Sequence, residues 1–92
     1  MRKYVIERTV PGAGQMDPAA LAAIAGKSNS VLHDLGTDIQ WLQSYVTDDK
    51  ITCVYLAVDD DIIREHARCG GFPLDAVHEV RAVIDPTSER AA

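Results

Sequence analysis

The chain of 92 residues is poor in cysteine, in aromatic side chains and in basic charge, and it has no long apolar run. Two cysteines, Cys53 and Cys69, are too few for a disulfide framework. One sits in a strand pattern and the other at the end of a helix pattern, so both read as reduced thiols. No stretch approaches the roughly 20 apolar residues of a membrane helix, and MRKYVIERTV at the N-terminus contains neither an apolar signal core nor a cleavage site. The expectation is a cytoplasmic protein with no membrane partner. Nine Lys and Arg stand against fourteen Asp and Glu, a net charge of -5. Such a balance argues against nucleic acid, whose phosphate backbone selects clustered cations.

What the chain does have is enough apolar residue, 47%, to close one small core and not two. A single domain over residues 1–86 follows, with residues 87–92, TSERAA after Pro86, as a flexible tail. The organising stretch is Ile39 to Val58, two β-branched and aromatic runs around a turn at Thr47 to Lys50, which reads as a β-hairpin. Lys3 to Thr9 reads as an earlier strand and Val77 to Ile84 as a later one, stopped by Asp85-Pro86. Asp17 and Pro18 open a helix that Gly36 ends near Leu35. Asp59 to Asp61 open a second one, ended by the CGGFP run from Cys69.

The order β-α-β-β-α-β predicts an α+β ferredoxin-like sandwich, with both helices on one face of an antiparallel sheet. Period-two parity then assigns faces. The even hairpin residues, Leu42, Val46, Val54, Leu56 and Val58, are smoothly aliphatic and are expected under the helices. The odd ones, Trp41, Gln43, Tyr45, Cys53 and Tyr55, are expected on the open face with Glu7, Glu79 and Arg81. With a three-residue turn, Tyr45 faces Cys53 and Gln43 faces Tyr55. Such a patch is too apolar for solvent and too polar for a core, which suggests a homodimer through the open face, with a ligand pocket or a plain seam between the sheets.

The candidate metal donors are His66, His33, His78 and Glu7. His66 and Cys69 lie at i and i+3 and can share an ion, although one such pair is equally a partly buried histidine beside a thiol. His33, in the last turn of the first helix, suits the negative end of its dipole. His78 opens the last strand, where parity turns it towards the helices. Glu7 and Arg81 are a carboxylate and a guanidinium for a ligand, or an ordinary cross-strand pair. Gly12-Ala13-Gly14 lacks the further glycine and lysine of a phosphate loop, and no organic cofactor motif appears.

The motifs VIER, PGAG, SYVTDDK, REHAR, GGFP and VIDP, spread over nearly the whole chain, resemble a small bacterial ferredoxin-like family that includes a nickel-responsive, nickel-binding member. The resemblance implies a homodimer that binds nickel at the dimer surface and sequesters or detoxifies it. Glu7 falls in the VIER motif and His66 in REHAR, while Gln43 stands where the family pattern often has histidine. The leading expectation is therefore a non-enzymatic divalent-metal binder. The alternative is a small-molecule-binding or cofactor-independent enzyme of the dimeric α+β barrel type, with Trp41, Tyr45, Tyr55, Glu7 and Arg81 around a cavity.

Overall fold

The computed structural model describes residues 1–91. Six regular elements follow one another: β1 (Arg2–Thr9), α1 (Pro18–Leu35), β2 (Ile39–Val46), β3 (Lys50–Ala57), α2 (Asp60–Gly70) and β4 (Ala76–Glu79). The strands form one antiparallel sheet in the order β2-β3-β1-β4, the ferredoxin-like arrangement, and both helices cover the same face. Local chemistry sets the helix limits as the sequence indicates. The Asp17 carboxylate accepts from the Ala20 amide at 2.8 Å ahead of Pro18, and Asp59 accepts from Ile62 at 3.2 Å. Gly36 and Gly71 close the two helices at positive φ, 88° and 66°, where any side chain would be strained.

The face assignment differs from parity, and the central register shows why. Tyr4 pairs with Tyr55 and Ile6 with Cys53, all four buried, so the odd side of β3 lies under the helices. Val54 and Thr52, with their β1 partners Val5 and Glu7, take the open side. At the hairpin Val46 pairs with Ile51 and Tyr45 with Thr52, which leaves a tighter turn than three residues and shifts the register by one. A shift of one reverses every face. The irregularity at Leu42 shifts it back, so that Trp41 pairs with Tyr55 under the helices while Gln43 and Tyr45 remain on the open side. Trp41 donates from Nε1 to the Ser44 hydroxyl at 2.9 Å, tying the two sides of this bulge together.

The last strand is shorter than the Val77 to Ile84 expected. Pairing runs from Glu7 with Ala76 to Tyr4 with Glu79, and the Val80 amide adds one bond to the Lys3 carbonyl at 2.8 Å. Because β1 begins at Arg2, residues beyond this point have no strand opposite them, and Val83 and Ile84 are exposed. In this register Val77 and Glu79 share the helix side with Ile6 and Tyr4, and His78 turns to the open side with Val5. Pro86–Ala91 form a 3-10 helix in the segment expected to be a tail, with the Asp85 carboxylate accepting from Thr87. The last residue of that expected tail, Ala92, lies outside the described residues.

The core joins Ile6, Ile39, Ile51, Ala57 and Ile63 to the two tyrosines, and α2 packs into it more deeply than α1. Of the α1 residues only Ser28 is fully buried, because its sheet-facing turns are built from Ala and Ser as much as from Leu and Ile. Past α2, Phe72 folds back over Gly70, whose missing side chain makes the room. A Cβ on Gly70 would overlap the Phe72 ring. Gly70→Ala should therefore displace Phe72, an overpacking cost of about 1–3 kcal/mol, larger than the roughly 0.5–1 kcal/mol that Ala gains over Gly in a helix. The expected net effect is a fall in Tm of about 4–8 °C in a thermal melt. An unchanged Tm would show that the ring relaxes freely.

Candidate functional site

Glu7 and His78 stand on neighbouring strands of the open face. Their registers set them diagonally, and His78 Nε2 lies 2.9 Å from Glu7 Oε2. Both side chains remain accessible, His78 at 61% and Glu7 at 39%, so the pair faces whatever approaches the sheet. One imidazole nitrogen beside one carboxylate is an N/O donor set of the kind that suits nickel, cobalt and zinc. Around the pair the open face presents Val5, Val54, Leu56 and Tyr45, with the Gln43 amide donating to the Tyr45 hydroxyl. Among the described residues no group of three or more His, Cys, Asp or Glu side chains comes together in one chain. This pair therefore amounts to two donors and no more.

The other predicted donors lie apart from it. His33 ends α1 on the far side of the sheet, 90% exposed, with Nδ1 3.9 Å from its neighbour Asp34. Cys69 does not meet His66. Its thiol donates to Glu65 at 3.3 Å, in an exposed cluster that Arg68 completes with a 3.0 Å bond from Nε to Glu65. The bond to Glu65, burial and the carboxylate's charge raise the Cys69 pKa, which keeps the sulfur protonated and a poor ligand. Nor do Glu7 and Arg81 pair. Arg81 instead binds Glu79 at 2.8 Å, and Glu79 also meets Arg2 at 3.5 Å, on the helix side of the sheet edge. Trp41, Cys53 and Tyr55, expected with them on the open face, line the opposite one.

That side also carries a second feature, one with no flag in the sequence. A cavity of about 290 Å³ lies between α1 and the sheet, walled by Leu21, Ile24, Trp41, Ile51 and Phe72 among others, with Arg8, Ser28, Ser44, Cys53 and Tyr55 as its few polar contributors. Arg8 is only 4% exposed. Its Nη1 donates to the Pro73 carbonyl at 2.6 Å and its guanidinium lies 5.4 Å from the centre of the Phe72 ring, but Nη2 is buried without a partner. Alternation in KYVIERT is the signal that puts Arg8 on the face of Tyr4 and Ile6.

His66 is packed in the core beside this region and not at a surface metal site. It is 1% exposed, stacked at 5.4 Å on Phe72 and tilted at 5.5 Å to Tyr55, with Nε2 3.2 Å from the Ser28 hydroxyl and Nδ1 unpartnered. Burial first, then the charge of Arg8, hold its pKa below the usual value, while the Ser28 contact opposes them. A histidine whose folded pKa is lowered adds stability above its unfolded pKa near 6.5, and that contribution is lost as pH falls towards the folded value. Denaturant titrations should therefore show stability declining below about pH 6.5 in the native protein. In His66→Gln, which keeps a hydrogen-bonding group beside Ser28, the decline should be shallower. Parallel slopes for the two proteins would mean that His66 does not titrate on unfolding.

Comparison with known proteins identifies the fold and the family. The family model described as nickel responsive protein SCO4226-like matches residues 4–80. The crystal structure of SCO4226 from Streptomyces coelicolor A3(2) superposes with a TM-score of 0.75 over 89% of this chain and 99% of that one, at 14% sequence identity. No curated protein matches. The crystal structure supports the fold, and the family match includes both helices, three whole strands and β1 from Tyr4 onward. The chain belongs to the SCO4226-like family of nickel-responsive proteins.

Proposed function

We propose that the protein binds nickel on the open face of its sheet, as a homodimer in which each copy contributes Glu7 and His78. The observation that carries this reading is the accessible Glu7–His78 pair at 2.9 Å. Two donors do not hold a divalent ion firmly, but a two-fold axis through the open face doubles them to two imidazoles and two carboxylates. Water can complete an octahedron. The apolar surroundings favour the same assembly, since Tyr45 is 56% exposed beside Val5, Val54 and Leu56. A site split between copies accounts for a chain with only two clustered donors. The physiological role that fits such a site is uptake of the free ion, hence sequestration or detoxification.

The enzyme alternative loses three of its five residues, because Trp41 and Tyr55 lie beneath the helices and Arg81 is engaged by Glu79.

Calorimetric titration of tag-free, metal-free protein with nickel chloride, alongside sedimentation analysis, tests the proposal. Saturable uptake of one ion per two chains is expected. His78→Ala and Glu7→Gln should each weaken it by at least the roughly 10–100-fold that even an outer-shell partner contributes. His33→Ala should leave it unchanged. Full affinity in His78→Ala, or a protein that stays monomeric with saturating nickel, would overturn the assignment.

A further inference from the structure

Arg8 poses a problem of charge. Its guanidinium is withdrawn from water, yet no carboxylate of the described residues pairs with it, and its nearest polar partner is the neutral Pro73 carbonyl. Arginine keeps its proton under all ordinary conditions, so it cannot escape the cost by neutralising. A buried cation is tolerated when paired and is expensive when not. Here the unpartnered Nη2 belongs to a residue that lines the cavity beneath α1. An anion entering that cavity would supply the missing charge and the missing acceptor together.

We infer that the cavity between α1 and the sheet binds a small carboxylic acid with an apolar body, the carboxylate seated on the Arg8 guanidinium. The rest of the site selects the class. Apart from Arg8 the walls are mainly Leu21, Ile24, Trp41 and Phe72, which reward apolar surface and offer little to a sugar, a nucleotide or a peptide backbone. The Ser28 hydroxyl is engaged by His66, leaving the Tyr55 hydroxyl as the other polar group near Arg8. Tyr55 keeps its proton, since desolvation raises its pKa, and can donate to an acceptor. One free guanidinium nitrogen with one hydroxyl suits a monoanionic carboxylate; a phosphate dianion would need more donors to replace its water.

Size narrows the choice further. The volume of about 290 Å³ is roughly twice that of an engineered apolar cavity of about 150 Å³ that accepts benzene, so a ligand of ~12 heavy atoms fits. A straight ten-carbon acid has that size. The cavity exists because α1 turns small residues such as Ala25 and Ser28 towards the sheet, and Val46, 40% exposed, lies at its rim on the edge strand. This site is on the opposite face of the sheet from Glu7 and His78, and the inference does not depend on nickel.

The single tryptophan of the chain, Trp41, lines the cavity and reports on it. Fluorescence titration of the full chain with decanoate, decanol and decylamine tests the inference. Decanoate should give a saturable change, with decanol binding about tenfold or more weakly for want of the charged hydrogen bond and decylamine not binding. In Arg8→Met, a shape-conserving replacement of the kind buried ions often tolerate, decanoate should lose its advantage over decanol. In Ala25→Phe, which fills the cavity and leaves Arg8 in place, both should fail to bind. The inference is overturned if decanoate gives no saturable change, if decanol matches it in the native chain, or if Arg8→Met keeps the preference. Should Arg8→Met not fold, Ala25→Phe decides: decanoate binding retained there places the acid elsewhere and overturns the site.

Discussion

Tyr4 against Tyr55 and Ile6 against Cys53, the pairing of β1 with β3 at the middle of the sheet, fixes which way every other strand residue points. Four buried side chains on one side of two adjacent strands leave those strands no freedom to slip, because a slip of one residue would expose all of them. Once that register is set, Glu7 and Arg8 must face opposite ways although they are neighbours in sequence. Glu7 is delivered to the open face, where His78 reaches it from β4, and Arg8 to the helix side, where it has a backbone carbonyl and, among the described residues, no counter-charge. Two chemically unlike sites thus arise from one dipeptide. The sheet keeps them a strand's thickness apart.

The helix side is packed unequally. α2 is strongly amphipathic and presses Ile63, His66 and Ala67 into the core, with Phe72 folded beneath its C-terminal end. α1 is nearly all small residues in its first turns and approaches the sheet without filling the space below it. His66 therefore has the surroundings of a core residue, with aromatic rings on both sides and a hydroxyl for one nitrogen, while Arg8 borders open volume. Its i, i+3 spacing from Cys69 and its place in REHAR made His66 a candidate ligand, but it lies on the inward face of α2, which buries it.

Most of the architecture was legible in the chain because it rests on local chemistry. Asp17-Pro18, Gly36 and the Asp59 to Asp61 run mark helix ends by capping and by φ, and neither depends on distant residues. The hairpin runs are long enough to declare themselves. The sides of the strands were not legible, because they depend on two small departures from regularity: the tight turn after Val46 and the irregularity at Leu42. Neither carries a glycine or proline as a flag. The smoothly aliphatic side of β3 was the natural choice for a core, and the fold instead buries the side with Tyr55 and Cys53, because their partners on β1 are Tyr4 and Ile6. The Glu7–His78 pair was out of reach for a related reason: it needs the short pairing of β4 with β1, which turns His78 away from the helices.

The irregularity at Leu42 has a consequence for how copies of the chain meet. β2 is an edge of the sheet, and a regular edge offers a ladder of free amides and carbonyls to any strand that arrives. Breaking the ladder halfway along, with Leu42 out of step and Trp41 bonded across to Ser44, leaves no uninterrupted template for another strand. End-to-end growth into fibrous stacks of sheets is hindered at its starting point. In the proposed homodimer the copies meet face to face instead, and a face, unlike an edge, closes after two.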